Sequence, residues 1–345
     1  MQVDVVIPFV DGSTLAYRNL HQTWAGQPPP CQLRSLGELR YVLRSLERFA
    51  PWVHQVWLVV QSHDHLPAWL DRHQVQVALH HDFVPAELLP TFHYLPLLYY
   101  YEGIPGLAEH YIAWNDDYFL GQPCPPEHFF QADGSARPPR LDWPIPRWLG
   151  RLKRDGFTQS LLGTVQSLDE VLPGPARLHY LVPHVPLAIE RRRWRQLQAL
   201  FEDNPRVRQN VCSRRRLGQG AISLEDLYIN WLLPPAREPG RLLSTLAGLG
   251  LNAGLRLLNR LLPGRFSIDR SIYAIYNHPD RTASQMQALQ KERPRLFCIN
   301  DNAYDAYEGY GHSWEVHPLS LGLLEQQLKH LFPHASRYER QDLVR

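Results

Sequence analysis

Acidic and amide side chains follow three apolar segments whose composition predicts buried strands. The segments and the polar residues that end them are Val3–Val10 with Asp11, His110–Trp114 with Asn115-Asp116-Asp117, and Leu296–Ile299 with Asn300-Asp301. In an open parallel sheet, ligands bind in the crevice outside the carboxyl ends of the strands. We therefore expect these polar residues, although they are remote in sequence, to converge on one site.

A cluster of carboxylates at one sheet edge calls for a cation, because neighbouring negative charges repel one another. Hard oxygen ligands suit Mg²⁺ or Mn²⁺, ions that proteins commonly share with substrate phosphates. This chemistry predicts a nucleotide-linked substrate. The alternative is structural, since Asp and Asn also end strands by satisfying turn backbones. That alternative applies most strongly to Asp11 and Asp301, and least to the run that ends in Asp116-Asp117.

Histidine and arginine residues supply further candidate groups. His184 lies between Pro183 and Pro186, which hold its backbone extended, and its ordinary pKa near neutrality suits a general acid or base. The run Arg214-Arg215-Arg216 offers planar donors for phosphate oxygens, with a solvated basic turn as the alternative. Arg40, on the helix after the first strand, either reaches the sheet edge or pairs locally.

Several common site types are missing from the sequence. It contains no GxxxxGKS/T, GxGxxG or GxSxG motif, which excludes the P-loop, dinucleotide-binding and α/β-hydrolase classes. The pair His80-His81 has no third ligand at metal-binding spacing. We expect both of these histidines to lie on the surface at a strand end.

Composition narrows the class of protein further. The 345 residues are 44% hydrophobic and 20% charged, which is typical of a folded globular protein. Lys and Arg total 36 against 34 for Asp and Glu, and no long block of like charge occurs, so nucleic acid is not an expected partner. The four cysteines are widely spaced without a CxxC pair, which favours reduced thiols in a cytosolic chain.

Two segments of the sequence bear on the location of the protein in the cell: the N-terminus and a leucine-rich segment. The N-terminus enters a strand-like run directly, unlike a signal peptide, and no span of about 20 apolar residues predicts a transmembrane helix. Residues 241–262 combine many leucines with charges that are all arginine. This pattern predicts either a helical hairpin packed on the core or a basic amphipathic element on a membrane surface. We expect a cytoplasmic protein, with contact at the inner membrane face as the second alternative.

The order of predicted elements indicates the fold. Strands at Val56–Val60 and Val75–Leu79 alternate with helical patterns such as Leu36–Phe49. This alternation predicts an α/β fold with a mostly parallel, Rossmann or GT-A-like sheet flanked by helices and a mainly helical C-terminal insertion. Later helices are predicted at Gln159–Leu172, Leu187–Phe201, Ser223–Leu233 and Leu319–Leu331.

We divide the chain into four parts on this basis. Residues 1–125 form an α/β, nucleotide-sugar-binding part, and residues 126–235 form an irregular and helical part that carries His184 and the arginine run. Residues 236–265 form an amphipathic helical insertion. Residues 266–345 complete the core.

Short motifs along most of the chain match a known pattern. VDVVIPFVDG, GELRYVLRSLERFAPWVHQVWLVV, PAWL, LPTF, IPGLAEHYIAWNDDYFL, HVP and FCIND resemble, in order, the four conserved regions of the Stealth family. That family contains bacterial capsule polymerases and the animal N-acetylglucosamine-1-phosphate transferase. The resemblance implies transfer of a sugar-1-phosphate from a UDP-linked sugar to an acceptor hydroxyl, with a divalent metal and release of UMP.

The resemblance and the residue chemistry select the same side chains. Catalytic roles are predicted for Asp11, Asp117, His184 and Arg216, substrate contacts for Arg40, Asn115, Arg214 and Asn300, and Mg²⁺ or Mn²⁺ binding for Asp116, Asp117 and Asp301. The expected partners are a UDP-sugar donor and a glycan or other hydroxyl acceptor.

Two segments depart from the family pattern. The family's second region usually opens with Arg-Asp, whereas here Arg34 is followed by Ser35, and after LPTF the usual polar residues are replaced by residues 93–98, HYLPLL. The second change affects expected donor-sugar and acceptor contacts. A non-catalytic carbohydrate- or nucleotide-binding relative therefore stays open. A metal-dependent glycosyltransferase that releases UDP also stays open, because an Asp pair at a strand end serves those enzymes too.

Overall fold

The structure, a computed structural model, describes residues 1–27, 30–139, 156–172, 179–215, 217, 220–233, 271–311 and 313–343. Its strands are β1 (Val3–Pro8), β2 (Val56–Val60), β3 (Gln76–Leu79), β4 (His110–Ala113), β5 (Tyr118–Leu120), β6 (Leu187–Glu190), β7 (Ile272–Ile275) and β8 (Leu296–Asp301). Its α-helices are α1 (Leu15–Ala25), α2 (Glu38–Phe49), α3 (His80–Phe83), α4 (Tyr94–Tyr100), α5 (Gly156–Val171), α6 (Arg191–Phe201), α7 (Pro205–Val211), α8 (Leu224–Leu232), α9 (Pro279–Glu292) and α10 (Pro318–Leu331).

The main sheet has five strands in the order β3-β2-β1-β4-β6. Its first four strands run parallel, and β6 is antiparallel to β4 at the edge. This arrangement confirms the predicted α/β class and the mostly parallel sheet. Because β1 and β4 are parallel neighbours, their carboxyl ends open at the same edge of the sheet.

A second sheet of three strands, in the order β5-β8-β7, begins where the main sheet ends. β5 follows β4 after a turn at residues 115–117, and it pairs antiparallel with β8, Tyr118 standing opposite Cys298. The amide of Ile299 donates to the carbonyl of Asp117 at 3.1 Å. This pairing carries the C-terminal strand β8 to the turn that holds the Asp pair.

Helix α2 packs between the two sheets through one apolar face. Leu39, Val42, Leu43 and Leu46 recur at helical spacing, and all four side chains are at most 1% exposed. Gly37 precedes the helix with a φ of 89°, in the left-handed region that favours glycine. The helix therefore begins at Glu38, on the side of the carboxyl edge of the sheet.

Two local predictions were wrong. Leu187–Phe201 was predicted as one helix, but its first four residues form β6 and the helix begins at Arg191. The apolar run beside β4 is buried by strand pairing, and this tertiary contact overrides the local helical pattern. His80 was expected on the surface, yet it is buried, whereas His81 is exposed as predicted.

The predicted parts of the chain are interleaved in the fold. β6, from residues 126–235, completes the main sheet, and β7 and β8, from residues 266–345, pair with β5. The insertion at 236–265, with its segment 241–262, lies outside the described residues, as does Arg216. No helix within the described ranges has both the length and the apolar composition needed to cross a membrane.

Candidate active site

The turn between β4 and β5 places two adjacent carboxylates at the edge of the main sheet. The amide of Tyr118 donates to the carbonyl of Asn115 at 3.2 Å and closes this turn. Burial, and then the neighbouring charge of Asp117, raises the pKa of Asp116 to about 8. Burial also raises the pKa of Asp117, although the charge of His184 acts in the opposite direction. The site therefore disfavours two bare negative charges and favours a positive one.

The two oxygens of Asp117 have different surroundings. Oδ2 accepts a hydrogen bond from the Cys298 thiol at 3.0 Å. Oδ1 is buried and has no hydrogen-bond partner among the described residues. A buried carboxylate oxygen without a partner is costly, and a bound cation would satisfy it.

Glu38 is a site residue that the sequence analysis missed. Its Oε2 accepts from the amide of Leu36 at 2.7 Å, which holds the carboxyl at the start of α2. Burial, and then the charge of Asp116, raises the pKa of Glu38 to about 8, so the two carboxyls interact electrostatically. The available signal was an acidic residue at the first position of the helix predicted at Leu36–Phe49. Arg40, the predicted residue, lies two positions further along.

Arg40 itself pairs locally. Its Nε lies 3.5 Å from Oε2 of Glu339, and its guanidinium lies 4.8 Å from the centre of the Trp69 ring. Arg44, one turn further along α2, forms a closer pair with the same glutamate at 2.7 Å. The structure thus shows the local alternative for Arg40, an ion pair with the C-terminal segment.

His184 lies beside the Asp pair, as the sequence analysis expected. Its Nδ1 is 3.2 Å from the Tyr118 hydroxyl, and the two rings meet edge to face with centroids 5.0 Å apart. Ligand atoms of His184, Asp117 and Cys298 all lie within 4.8 Å of one another. The imidazole is exposed, so a substrate can reach it.

Asn300 and Asp301 separate because side chains alternate along β8. Asn300 shares a face with Cys298, whose thiol donates to its Oδ1 at 3.0 Å. Asp301 has a different partner: Oδ2 accepts from Arg34 Nε at 2.5 Å, and Oδ1 accepts from Arg34 Nη2 at 2.7 Å. Asp301, predicted as a metal ligand, therefore has both oxygens engaged in an ion pair, while Asn300 faces the thiol beside Asp117.

Two other predicted residues have contacts of their own. Asp11, after β1, accepts from the amide of Ser13 at 3.0 Å. Arg214 donates to the carbonyl of Glu87 at 2.8 Å and lies 4.5 Å from the Trp24 ring centre. The structure thus brings together Asp116, Asp117 and His184, and it links Asn300 to them through Cys298. It gives Asp11, Arg40, Arg214 and Asp301 the separate contacts described above.

Comparison with known proteins bears on the same segment. Residues 32–137 match the family model described as Stealth protein CR2, conserved region 2. The resemblance to the Stealth family is confirmed. The Stealth region includes Glu38 and both members of the Asp116-Asp117 pair.

Individual relatives match over a similar length. The exopolysaccharide phosphotransferase cps2G of Lactiplantibacillus plantarum is 35% identical over 137 residues, which are 38% of this chain and 40% of that protein. The capsular polysaccharide phosphotransferase LcbA of Neisseria meningitidis is 32% identical over 146 residues, 39% of each chain. The exopolysaccharide phosphotransferase SCO6021 of Streptomyces coelicolor is 36% identical over 144 residues, 39% of this chain and 26% of its own. The matched segment thus spans less than half of each of these proteins.

Proposed function

We propose that this protein is a metal-dependent phosphotransferase that acts in capsule or cell-surface polysaccharide synthesis. It transfers a sugar-1-phosphate from a UDP-sugar to an acceptor hydroxyl and releases UMP. The observation that carries the proposal is the Asp116-Asp117 pair, with one buried oxygen that lacks a partner among the described residues, directly beside the exposed His184. The names of the matched relatives, all polysaccharide phosphotransferases, support the reaction class.

The donor set fits Mg²⁺ or Mn²⁺. Asp116 and Asp117 would hold the ion, with the Glu38 carboxyl close enough to interact with their charges, and oxygen ligands of this kind are those that both ions prefer. When bound, the cation would offset the negative charge of the donor's diphosphate. Burial, and then the neighbouring carboxylates, raise the pKa values of Asp116 and Glu38, and a cation would favour the ionised form of both groups.

His184 takes the proton of the acceptor hydroxyl in this proposal. When its Nδ1–H donates to the Tyr118 hydroxyl oxygen, Nε2 is the unprotonated nitrogen and can act as the base. Tyr118 therefore orients the ring. The acceptor oxygen then bonds to the β-phosphorus, and the bond from that phosphorus to the bridging oxygen breaks. UMP carries the bridging oxygen away, and the sugar C1–O bond stays intact.

Phosphate contacts complete the proposal. Arg216 keeps its predicted role toward the phosphate oxygens as part of this hypothesis, and its neighbour Arg214 lies against Trp24, with its guanidinium also bonded to the Glu87 carbonyl. Asp301 is left out of the proposed metal set, because Arg34 already neutralises it.

The leaving nucleotide tests the function. The full chain is incubated with Mg²⁺, a panel of UDP-sugars and a glycan acceptor, and the released nucleotide is identified by chromatography. UMP that depends on acceptor and disappears with chelator is the expected result. UDP would instead show glycosyl transfer and overturn the proposal. No nucleotide release with any donor, from a protein that still binds UDP-sugar, would favour the non-catalytic alternative.

A further inference from the structure

Cys298 adds a sulfur atom to the group around Asp117. The antiparallel register of β5 and β8 places Cys298 opposite Tyr118, one residue after Asp117. Its Sγ lies 3.0 Å from both Asp117 Oδ2 and Asn300 Oδ1, and the residue is fully buried. With the exposed His184, one nitrogen, one oxygen and one sulfur ligand atom lie within 4.8 Å of one another.

This set of ligand atoms selects a particular class of cation. Mg²⁺ takes oxygen ligands and does not favour thiolate, whereas Zn²⁺ binds Cys sulfur, His nitrogen and carboxylate oxygen together. We propose that Asp117, His184 and Cys298 form a binding site for a thiophilic divalent cation such as Zn²⁺. This site differs in chemistry from the proposed Mg²⁺ site and shares Asp117 with it.

The geometry requires only a small adjustment for such an ion. Tetrahedral zinc holds its ligand atoms about 3.4–3.6 Å apart. The ligand atoms of this group lie within 4.8 Å of one another, with Sγ of Cys298 3.0 Å from Oδ2 of Asp117. Asp117 lies in the turn that leads into β5, and Cys298 lies on β8, which pairs with β5. The backbone bond from Ile299 to Asp117 joins the two segments, so their positions are held. His184 is exposed on a loop and can close over the ion, which enters from the solvent side.

Binding has a defined proton balance. The Cys298 thiol, whose single proton lies between the oxygens of Asp117 and Asn300, loses that proton to solvent and becomes a thiolate ligand. No oxidant or reductant takes part. Asn300 Oδ1 or a water molecule is available for the fourth position, because three protein ligands with an open fourth position are common at zinc sites.

Competition with Mg²⁺ follows from the shared carboxylate. A thiophilic ion that engages Asp117 removes a ligand from the proposed Mg²⁺ site, so Zn²⁺ should inhibit turnover and excess Mg²⁺ should relieve the inhibition. This consequence rests on the proposed function. The binding site itself does not.

Cadmium provides a direct probe of the thiolate. The full chain is titrated with Cd²⁺ in buffer without Mg²⁺, and the thiolate-to-cadmium charge-transfer absorption in the ultraviolet is followed. One equivalent is expected to develop the band, and Cys298→Ala is expected to abolish it. His184→Ala should weaken Cd²⁺ binding at least about tenfold. The controls are Cys124→Ala, a second buried thiol, and Cys212→Ala, an exposed thiol, both of which should retain the band.

The outcomes separate the two hypotheses. A band that persists in Cys298→Ala, or that is lost only in Cys212→Ala, would overturn the site. If circular dichroism shows that Cys298→Ala does not fold, His184→Ala becomes the test of the site, because its exposed side chain is not needed for the core. Unchanged Cd²⁺ affinity in His184→Ala would also overturn the site. A cadmium band without turnover on any donor would leave the site standing and defeat the proposed function. Turnover without a cadmium band would leave the proposed function standing and overturn the cation site.

Discussion

Arg34 and Asp301 form a bidentate ion pair between residues 267 positions apart in the chain. Both side chains are buried, at 3% and 9% exposure, and Arg34 also donates to the carbonyl of Ala303 at 2.9 Å. The pair joins the segment before α2 to the end of β8. Because β8 also carries Cys298 and Asn300, this contact helps to fix the strand that faces Asp117.

Removing either partner of this pair should destabilise the protein. Arg34→Ala and Asp301→Ala are each expected to lower the free energy of unfolding by about 3–5 kcal/mol, because each leaves an uncompensated buried charge. Urea denaturation measures the change. The matched control is Arg340→Ala, whose exposed pair with Asp342 at 2.6 Å should contribute less than about 1 kcal/mol.

The same variants test whether Asp301 also binds metal. If Mg²⁺ stabilised the wild type against urea but not Asp301→Ala, Asp301 would be a ligand after all, and the ion pair would not be its main role. We expect Mg²⁺ to stabilise both proteins equally.

Asp117→Asn should remove turnover while the protein stays folded. The amide keeps the size of the side chain but lacks the charge that a cation requires, so UMP release is expected to fall by about 100-fold or more. Chromatographic measurement of the released nucleotide detects the change. Asp133→Asn, an exposed carboxylate that bonds to Ser135, is the control and should behave as wild type. Full activity of Asp117→Asn would contradict the proposed site.

Glu38→Gln should weaken Mn²⁺ binding about tenfold, because it removes a carboxyl that interacts with Asp116 and that a bound cation would ionise. Titration with Mn²⁺, followed by electron paramagnetic resonance of the free ion, gives the dissociation constant without an activity assay. The exposed Glu127→Gln serves as the reference variant. Equal affinity in the two variants would show that Glu38 does not act on the cation.

His80 should make the protein sensitive to acid. Burial, reinforced by the charges of His65 and His81, lowers the pKa of His80 to about 4, against about 6.5 in an unfolded chain. Between these values the unfolded chain binds a proton that the folded protein does not. The contribution of His80 to the free energy of unfolding is therefore fully present above about pH 6.5. It is lost as the pH falls toward about 4, by up to about 3 kcal/mol.

The comparison of two adjacent histidines measures this effect. His80→Gln should flatten the loss of unfolding free energy between pH 7 and pH 4.5, as followed by urea denaturation. His81→Gln, at an exposed neighbouring position, should keep the wild-type slope. Identical slopes for the two variants would contradict the assignment.

Local patterns predicted much of the fold. The predicted strand at Val56–Val60 matches β2, and the helix predicted from Leu36 to Phe49 corresponds to α2, because buried strands and amphipathic helices leave periodic signals. The short strands β5 and β7 were not predicted. Their three or four residues carry little periodicity, and pairing with β8 decides their conformation.

The candidate site divides in a similar way. The sequence by itself singled out Asp116, Asp117 and His184 among its candidate residues, because residue type and flanking prolines or strands are local properties. Only the tertiary structure decided which side chains meet them. The alternation along β8 turns Asn300 toward Cys298 and Asp301 toward Arg34, and the start of α2 brings Glu38 to Asp116. Strand register and helix packing set these contacts between distant residues. Register and packing depend on both segments that meet, so the local sequence of one segment does not predict them.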